Sequence, residues 1–242
     1  MKKLMLATAL VAIAGAASAQ NVVRIGTEGA YEPYNYIDQA TGQLTGFEVE
    51  LGNELCTRAQ LTCEFVQNAW DSIIPNLQSG NYDMIMAGMS ITEERDQVID
   101  FTQNYYPPAA SAYMALTADA AIGEGAVVAA QTGTIQAGYV AESGATLLEF
   151  ATPDETVAAV RNGEADAVFA DKDYLAPIAA DSNGEFTMLP NDIQLGGGVG
   201  VGLRESDTEL KEKMNVAIQS MKDDGTLNTL LKKWFGENVN TF

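Results

Sequence analysis

The sequence predicts an α/β protein built as two units of one plan. Three observations carry this. Stretches of helical periodicity alternate with short apolar runs, the pattern of helices layered on buried strands. Residues 77–87, Leu-Gln-Ser-Gly-Asn-Tyr-Asp-Met-Ile-Met-Ala, return in altered form at 160–170, where Val160, Gly163, Asp166 and Ala170 match Leu77, Gly80, Asp83 and Ala87 at a constant offset. Each copy reads as a helix end, a glycine cap, an aspartate turn and a buried strand. The 242 residues are also enough for one large or two modest domains.

Taken in order, residues 1–19 form an export leader. Lys2 and Lys3 give a basic start, 4–14 an apolar run, and Ala17-Ser18-Ala19 a cleavage signal before Gln20. The apolar run is too short and alanine-rich to serve as a membrane anchor. A strand is expected at 22–26, then a turn-rich loop to 36 with Gly29, Pro33 and three tyrosines. Thr41-Gly42 marks a turn, 47–58 a helix and 61–66 a second strand. Asp71 is expected to cap a helix with Ile73, Ile74 and Leu77 on one face. Pro75 is tolerated in its first turn, where backbone N–H groups lack partners. The strand 84–87 closes the first unit's αβ pattern.

The second unit begins near Ala110. It has a strand at 126–130, a strand-to-helix loop at 131–136, a helix at 154–162 and the echoing strand at 165–170. The glycine-rich run 196–203 lacks the lysine and spacing of a phosphate loop, and reads as a crossover strand. Helices at 209–222 and 226–235 end the chain, with Leu227, Leu230, Leu231 and Trp234 on one apolar face.

Composition removes several classes of function. The formal charge is −20, and −22 once the two leader lysines are gone, which argues against nucleic acid or an anionic membrane as partner. The absence of histidine excludes Ser-His triads and His-ligated metals. Cys56 and Cys63 are the only cysteines; in an exported chain they suggest a disulfide, worth about 2.5 kcal/mol for so short a loop. Two cysteines alone do not fill a metal shell, so neither metal nor cofactor is expected.

The candidate site starts at Arg95. Thr92 reads as an N-cap with Glu93 and Glu94 in the first helical turn, where acids suit the dipole. Arg95 at the third position opposes that dipole, and no acid stands three or four residues from it. It must find an anion elsewhere, either a distant surface acid or a ligand. Ser90 and the free N–H groups of the helix start could complete a receptor for one carboxylate. Thr134 sits at another strand-to-helix junction suited to an anion. Asp171 ends the echo strand at the carboxyl edge where α/β sheets bind ligands, and Glu28 follows the first strand at the equivalent edge. Taken alone, Trp70 reads as a core aromatic and Tyr31 as loop packing.

The motif Ser90-Ile-Thr-x-x-Arg95, followed by Ile99-Asp-Phe-Thr102 and Tyr105-Tyr106, resembles the polar amino acid-binding proteins of bacterial ABC importers, solute-binding protein family 3. The resemblance covers nearly all of the mature chain, with likeness to lysine/arginine/ornithine-binding members. Residues 28–35 and 67–71 also resemble opine-binding members. It implies a two-lobed periplasmic binding protein fold with a hinged ligand cleft. Lobe 1 would comprise 20–109 and 204–242, and lobe 2 would comprise 110–203. By the same resemblance Arg95 and Ser90 hold the ligand's α-carboxylate, Asp171 its α-ammonium, and Tyr31 and Trp70 its side chain. Glu28 and Glu48 match acids that meet cationic side chains, although Glu28 also has a counterpart in a glutamine-binding member. Gly88 stands where basic amino acid binders carry serine, so its carbonyl would make the contact; Ile135 replaces a threonine and leaves its N–H. The C-x6-C spacing of Cys56 and Cys63 also occurs there. The expectation is a monomeric, non-enzymatic periplasmic protein serving an ABC permease, capturing arginine, ornithine, lysine or an arginine-derived opine. The alternative is an enzyme on the same fold, resembling cyclohexadienyl dehydratase, with Glu28 as its acid.

Overall fold

The computed structural model describes residues 22–190 and 192–242; the expected leader at 1–19 lies outside them. Two mixed sheets dominate. The first runs in the order Cys63–Gln67, Val23–Thr27, Met84–Ile85, Gly202–Leu203, Asp100–Phe101. The second runs Thr146–Phe150, Val127–Gln131, Ala167–Asp171, Ala110–Ala115, Thr187–Met188. In each, the leading three strands are parallel and the fourth is antiparallel. A small hairpin sheet, Ala30–Tyr31, Asn35–Ile37 and Leu44–Thr45, stands beside the first.

The sequence echo has a physical basis. Asp83 Oδ2 accepts the Arg24 N–H at 2.9 Å, and Asp166 Oδ2 accepts the Val127 N–H at 2.8 Å. The backbone N–H of each aspartate bonds back to the carbonyl of the same strand residue, at 2.8 Å in both cases. Each aspartate thus clips the start of its sheet's central parallel strand. The preceding glycines, Gly80 and Gly163, have φ of 78° and 74°, a left-handed conformation that disfavours any Cβ. This pairing makes Arg24 and Val127 equivalent. Four residues on, Glu28, just past the end of its strand, and Gln131, the last residue of its strand, occupy equivalent positions in the two sheets.

The first sheet buries one face against the helices Phe47–Arg58, Thr208–Asp223 and Thr226–Phe235 through Leu51, Leu55, Met214, Ile218 and Leu231, all inaccessible to solvent. The terminal helix pair therefore packs on the first unit. The opposite face holds Ile73, Leu77 and Tyr82. The second sheet is covered by Pro153–Arg161 and Lys172–Asp181 on one side and Ile135–Glu142 on the other. Cys56, in the first helix, is bonded to Cys63 at the start of the neighbouring strand.

Some expectations need adjustment. Asp71 caps no helix: Trp70–Ser72 form a 3₁₀ turn, and Ile73–Gln78 follows with Ser72 at its N-cap and no side-chain cap bond. Gly202–Leu203 belongs to the first sheet, and Val199 already bridges Ser90 and Tyr106 there. The chain thus re-enters the first unit before residue 204, because backbone groups of the first sheet are available to pair with it. Strand Thr146–Phe150 and helix Lys172–Asp181 were not read from the sequence; the capping box of Thr152 and Glu155 is a further signal that was present but unread.

Candidate ligand-binding site

A small cavity, partly open to solvent, lies at the seam of the two sheets. Eight residues named from the sequence line it: Glu28, Tyr31, Trp70, Gly88, Ser90 and Arg95 from the first unit, Thr134 and Asp171 from the second. Gln131, Ile135, Gln136 and Ala87 complete the wall.

Arg95 is placed by the short helix Glu93–Asp96, whose N-cap Thr92 accepts the Arg95 N–H at 3.2 Å. Its guanidinium donates to the Ser90 carbonyl at 2.9 Å and, across the seam, to the Gly133 carbonyl at 3.2 Å. It also lies 5.3 Å from the centre of the Trp70 ring, within cation–π range. Among the described residues no acid is within ion-pair distance of Arg95. Burial lowers its pKa to about 10, so it remains cationic at neutral pH.

Asp171 enters at the end of its strand and is held by two donors. Tyr31 Oη donates from the first unit at 2.8 Å, and Gln136 Nε2 from the second at 2.9 Å. Burial raises the carboxyl to about 6, opposed by the Tyr31 bond and raised further by Asp173. The Tyr31 ring also stacks on Tyr174, with centroids 4.4 Å apart. Tyr31 therefore belongs to the seam between the units as well as to the cavity wall.

Glu28 is 7% exposed. Its Oε1 accepts from Gln131 Nε2 at 2.7 Å, across the seam. Burial pushes its pKa up to about 7, and the Gln131 bond opposes that rise. Thr134 is the N-cap of Ile135–Glu142: its Oγ accepts from the Ala137 N–H and donates to the Gln131 carbonyl. With its hydroxyl committed, the anion-receptive groups at this corner are the first N–H groups of the helix, at Ile135 and Gln136.

Glu48, whose place the resemblance left open, does not line the cavity. It is fully buried, accepting from the Gly88 N–H at 2.8 Å, Asn35 Nδ2 at 2.7 Å and the Tyr105 hydroxyl. Its pKa is raised by burial against these three donors. Glu48 thus fixes the backbone of Gly88, whose φ of 64° is left-handed. Gln131 and Gln136 were missed in the sequence because a lone glutamine carries no motif. Gln131 was findable only by extending the echo upstream to the central strands, where the side chains no longer match.

Two α/β units enclosing a cavity with one cation that has no acid partner, one buried acid and one half-buried acid have the make-up of a solute receptor. A family model for bacterial extracellular solute-binding proteins, family 3, matches residues 23–237, and the chain belongs to that family. A solved structure described as a periplasmic His/Glu/Gln/Arg/opine family-binding protein from Silicibacter pomeroyi in complex with lysine is 68% identical. It covers 91% of this chain and 100% of that one, with a TM-score of 0.89. The putative ABC transporter arginine-binding protein 2 of Escherichia coli K12 is 31% identical over 97% of this chain and 99% of its own length. The histidine-binding periplasmic protein of Salmonella typhimurium is 33% identical over 99% of each. No helix of the described residues is long and apolar enough to cross a membrane.

Proposed function

We propose that this protein captures a cationic α-amino acid in the periplasm and delivers it to an ABC permease. The observation that carries this is the charge pattern of the cavity: Arg95 without an acid partner, facing the half-buried Asp171 and the buried Glu28. An α-carboxylate would pair with Arg95, helped by Ser90 and the N–H groups at Ile135 and Gln136. The α-ammonium would lie against Asp171 and the Gly88 carbonyl. A cationic side chain would run beside Tyr31 and Trp70 to Glu28. Each charge then meets its opposite, which removes the cost of burying it alone. The relative solved in complex with lysine and the relatives named for arginine and histidine support this choice of ligand class.

The two sheets are taken as two lobes, the first formed by residues up to 109 and the chain's return near Val199. The ligand would bridge them and favour their closure. The enzyme alternative rests on Glu28, whose pKa of about 7 would suit an acid. The same elevation follows from burial of a carboxylate awaiting a cation, and the relatives are named as binding proteins. Calorimetry of ligand-stripped protein with lysine, ornithine, arginine, histidine, an opine, glutamine and glutamate tests the proposal. Saturable binding of cationic ligands in preference to glutamine, with glutamate weakest and no ligand consumed, is expected. Preferential binding of glutamine would overturn the cationic assignment, and turnover of a cyclohexadienyl acid would overturn the binding reading.

A further inference from the structure

Glu48 is a buried acid without a cation. It is inaccessible to solvent, as are Asn35 and Tyr105 beside it. Among the described residues no lysine or arginine pairs with it. A carboxyl so placed is costly unless its oxygens are hydrogen-bonded, so the groups it bonds show what it holds. Its Oε1 accepts from the Gly88 N–H at 2.8 Å and from the Tyr105 hydroxyl, and its Oε2 accepts from Asn35 Nδ2 at 2.7 Å. Asn35 passes the restraint on, because its Oδ1 accepts the Gly29 N–H at 2.7 Å. The Glu28 carbonyl accepts from Gln67 Nε2 at 3.1 Å, so the peptide joining Glu28 to Gly29 is held on both sides. Tyr105 in turn donates its backbone N–H to the Val199 carbonyl at 2.8 Å. One carboxyl thus anchors the turn after Glu28, the turn at Gly88 and the segment where the chain returns from the second unit. Glu28 and Gly88 both line the cavity; Glu48 does not.

We propose that Glu48 is a positioning residue for ligand binding: from outside the cavity it fixes the backbone at Gly88 directly, and at Glu28–Gly29 through Asn35, in the geometry that receives the ligand. The proposal rests on this cavity being the ligand site, as argued above. The bonding pattern makes the carboxylate specific. Gly88 and Asn35 both present N–H groups to it, because the Asn35 oxygen is taken by Gly29. A carboxylate accepts on both oxygens. A glutamine of the same shape cannot, since whichever way its amide turns, its NH2 group faces either the Gly88 N–H or the Asn35 NH2 group. If Asn35 turned instead, its own NH2 group would face the Gly29 N–H. The conflict is therefore passed to one of the two turns that carry cavity residues. Glu48 also stands in the first turn of Phe47–Arg58, where the helix dipole favours a negative charge.

The test is calorimetric titration of ligand-stripped wild type, Glu48→Gln, and the double variant Glu48→Gln with Asn35→Asp, using lysine and arginine. Each protein is titrated at a temperature where circular dichroism shows it folded. The double variant exchanges the carboxylate and the amide. The new carboxylate accepts from Gly29 and from the new amide, whose oxygen accepts from Gly88 and Tyr105, so every bond is kept. Glu48→Gln is expected to weaken lysine and arginine alike, each about 10-fold, because it shifts the backbone of the turns and no ligand contact of its own is lost. The double variant is expected to bind both within about threefold of wild type. A role in stability alone would lower Tm and leave the affinity of the folded single variant unchanged; that result would overturn the inference. So would a loss confined to arginine, which would place Glu48 against the ligand's guanidinium itself. A double variant that does not fold, or that folds and stays about 10-fold weaker, would also overturn it, so the test holds even where Glu48→Gln alone fails to fold. Wild type that binds neither lysine nor arginine would instead remove the cationic reading, and the inference with it.

Discussion

Replacing Glu28 by glutamine removes one buried charge and keeps the shape of the side chain. Burial raises the Glu28 carboxyl from 4.5 to about 7, and a shift of that size corresponds to roughly 3 kcal/mol against the ionised form. A cationic ligand end offsets this cost and adds a charge-assisted hydrogen bond worth about 1.5–3 kcal/mol. The Glu28→Gln protein should therefore bind lysine about 30- to 150-fold more weakly, equivalent to about 2–3 kcal/mol. Glutamine, with a neutral side chain, should bind within about threefold of wild type or more tightly. Calorimetry at pH 7.5 and low salt reads both. Stability supplies a second readout. A carboxyl whose folded pKa is raised contributes stability that is present below its ordinary value near 4.5 and lost as pH rises through about 7. The ligand-free wild type should thus lose several degrees of Tm relative to Glu28→Gln between pH 4.5 and 7.5. Saturating lysine should reduce that loss. Unchanged lysine affinity together with parallel pH curves would refute the account of Glu28.

Arg95→Ala and Asp171→Ala should each weaken binding at least ~100-fold, about 2.7 kcal/mol, since each leaves one end of the ligand buried without its partner; calorimetry within about threefold of wild type would remove that residue's role. Gly88→Ala should lower stability by about 1–2 kcal/mol, because its φ of 64° strains a residue with a Cβ; denaturant unfolding measures it, and an unchanged midpoint would show that the backbone relaxes cheaply. A thiol count on unfolded, unreduced mature protein should find no free thiol. Cys56→Ser with Cys63→Ser should cost about 2.5 kcal/mol, and two free thiols in the wild type would contradict the bond.

Much of the fold was legible because the relevant signals are local. Gly46 before Phe47–Arg58, Thr92 before Glu93–Asp96 and the paired Gly80 and Gly163 mark boundaries within a few residues of themselves. The lack of an acid three or four residues from Arg95 was also informative, since among the described residues no acid forms an ion pair with it. Long-range features were harder. Whether Glu48 faces the cavity or the core depends on Asn35, Gly88 and Tyr105, which are far apart in sequence. Gln131 meets Glu28 in the other unit, a contact spanning 103 residues. The helix Lys172–Asp181 begins directly after Asp171 without a side-chain cap bond and contains Pro177, so its start and its continuation were both poorly signalled.

The central claim is that the cavity holds a cationic amino acid by its α-carboxylate, α-ammonium and side chain at three separate charged groups. A crystal structure of the mature protein with lysine bound tests it most directly. The carboxylate is predicted on Arg95, the α-ammonium on Asp171 and the side-chain ammonium on Glu28. A lysine lying outside this cavity, or one whose side-chain ammonium points away from Glu28, would contradict the account.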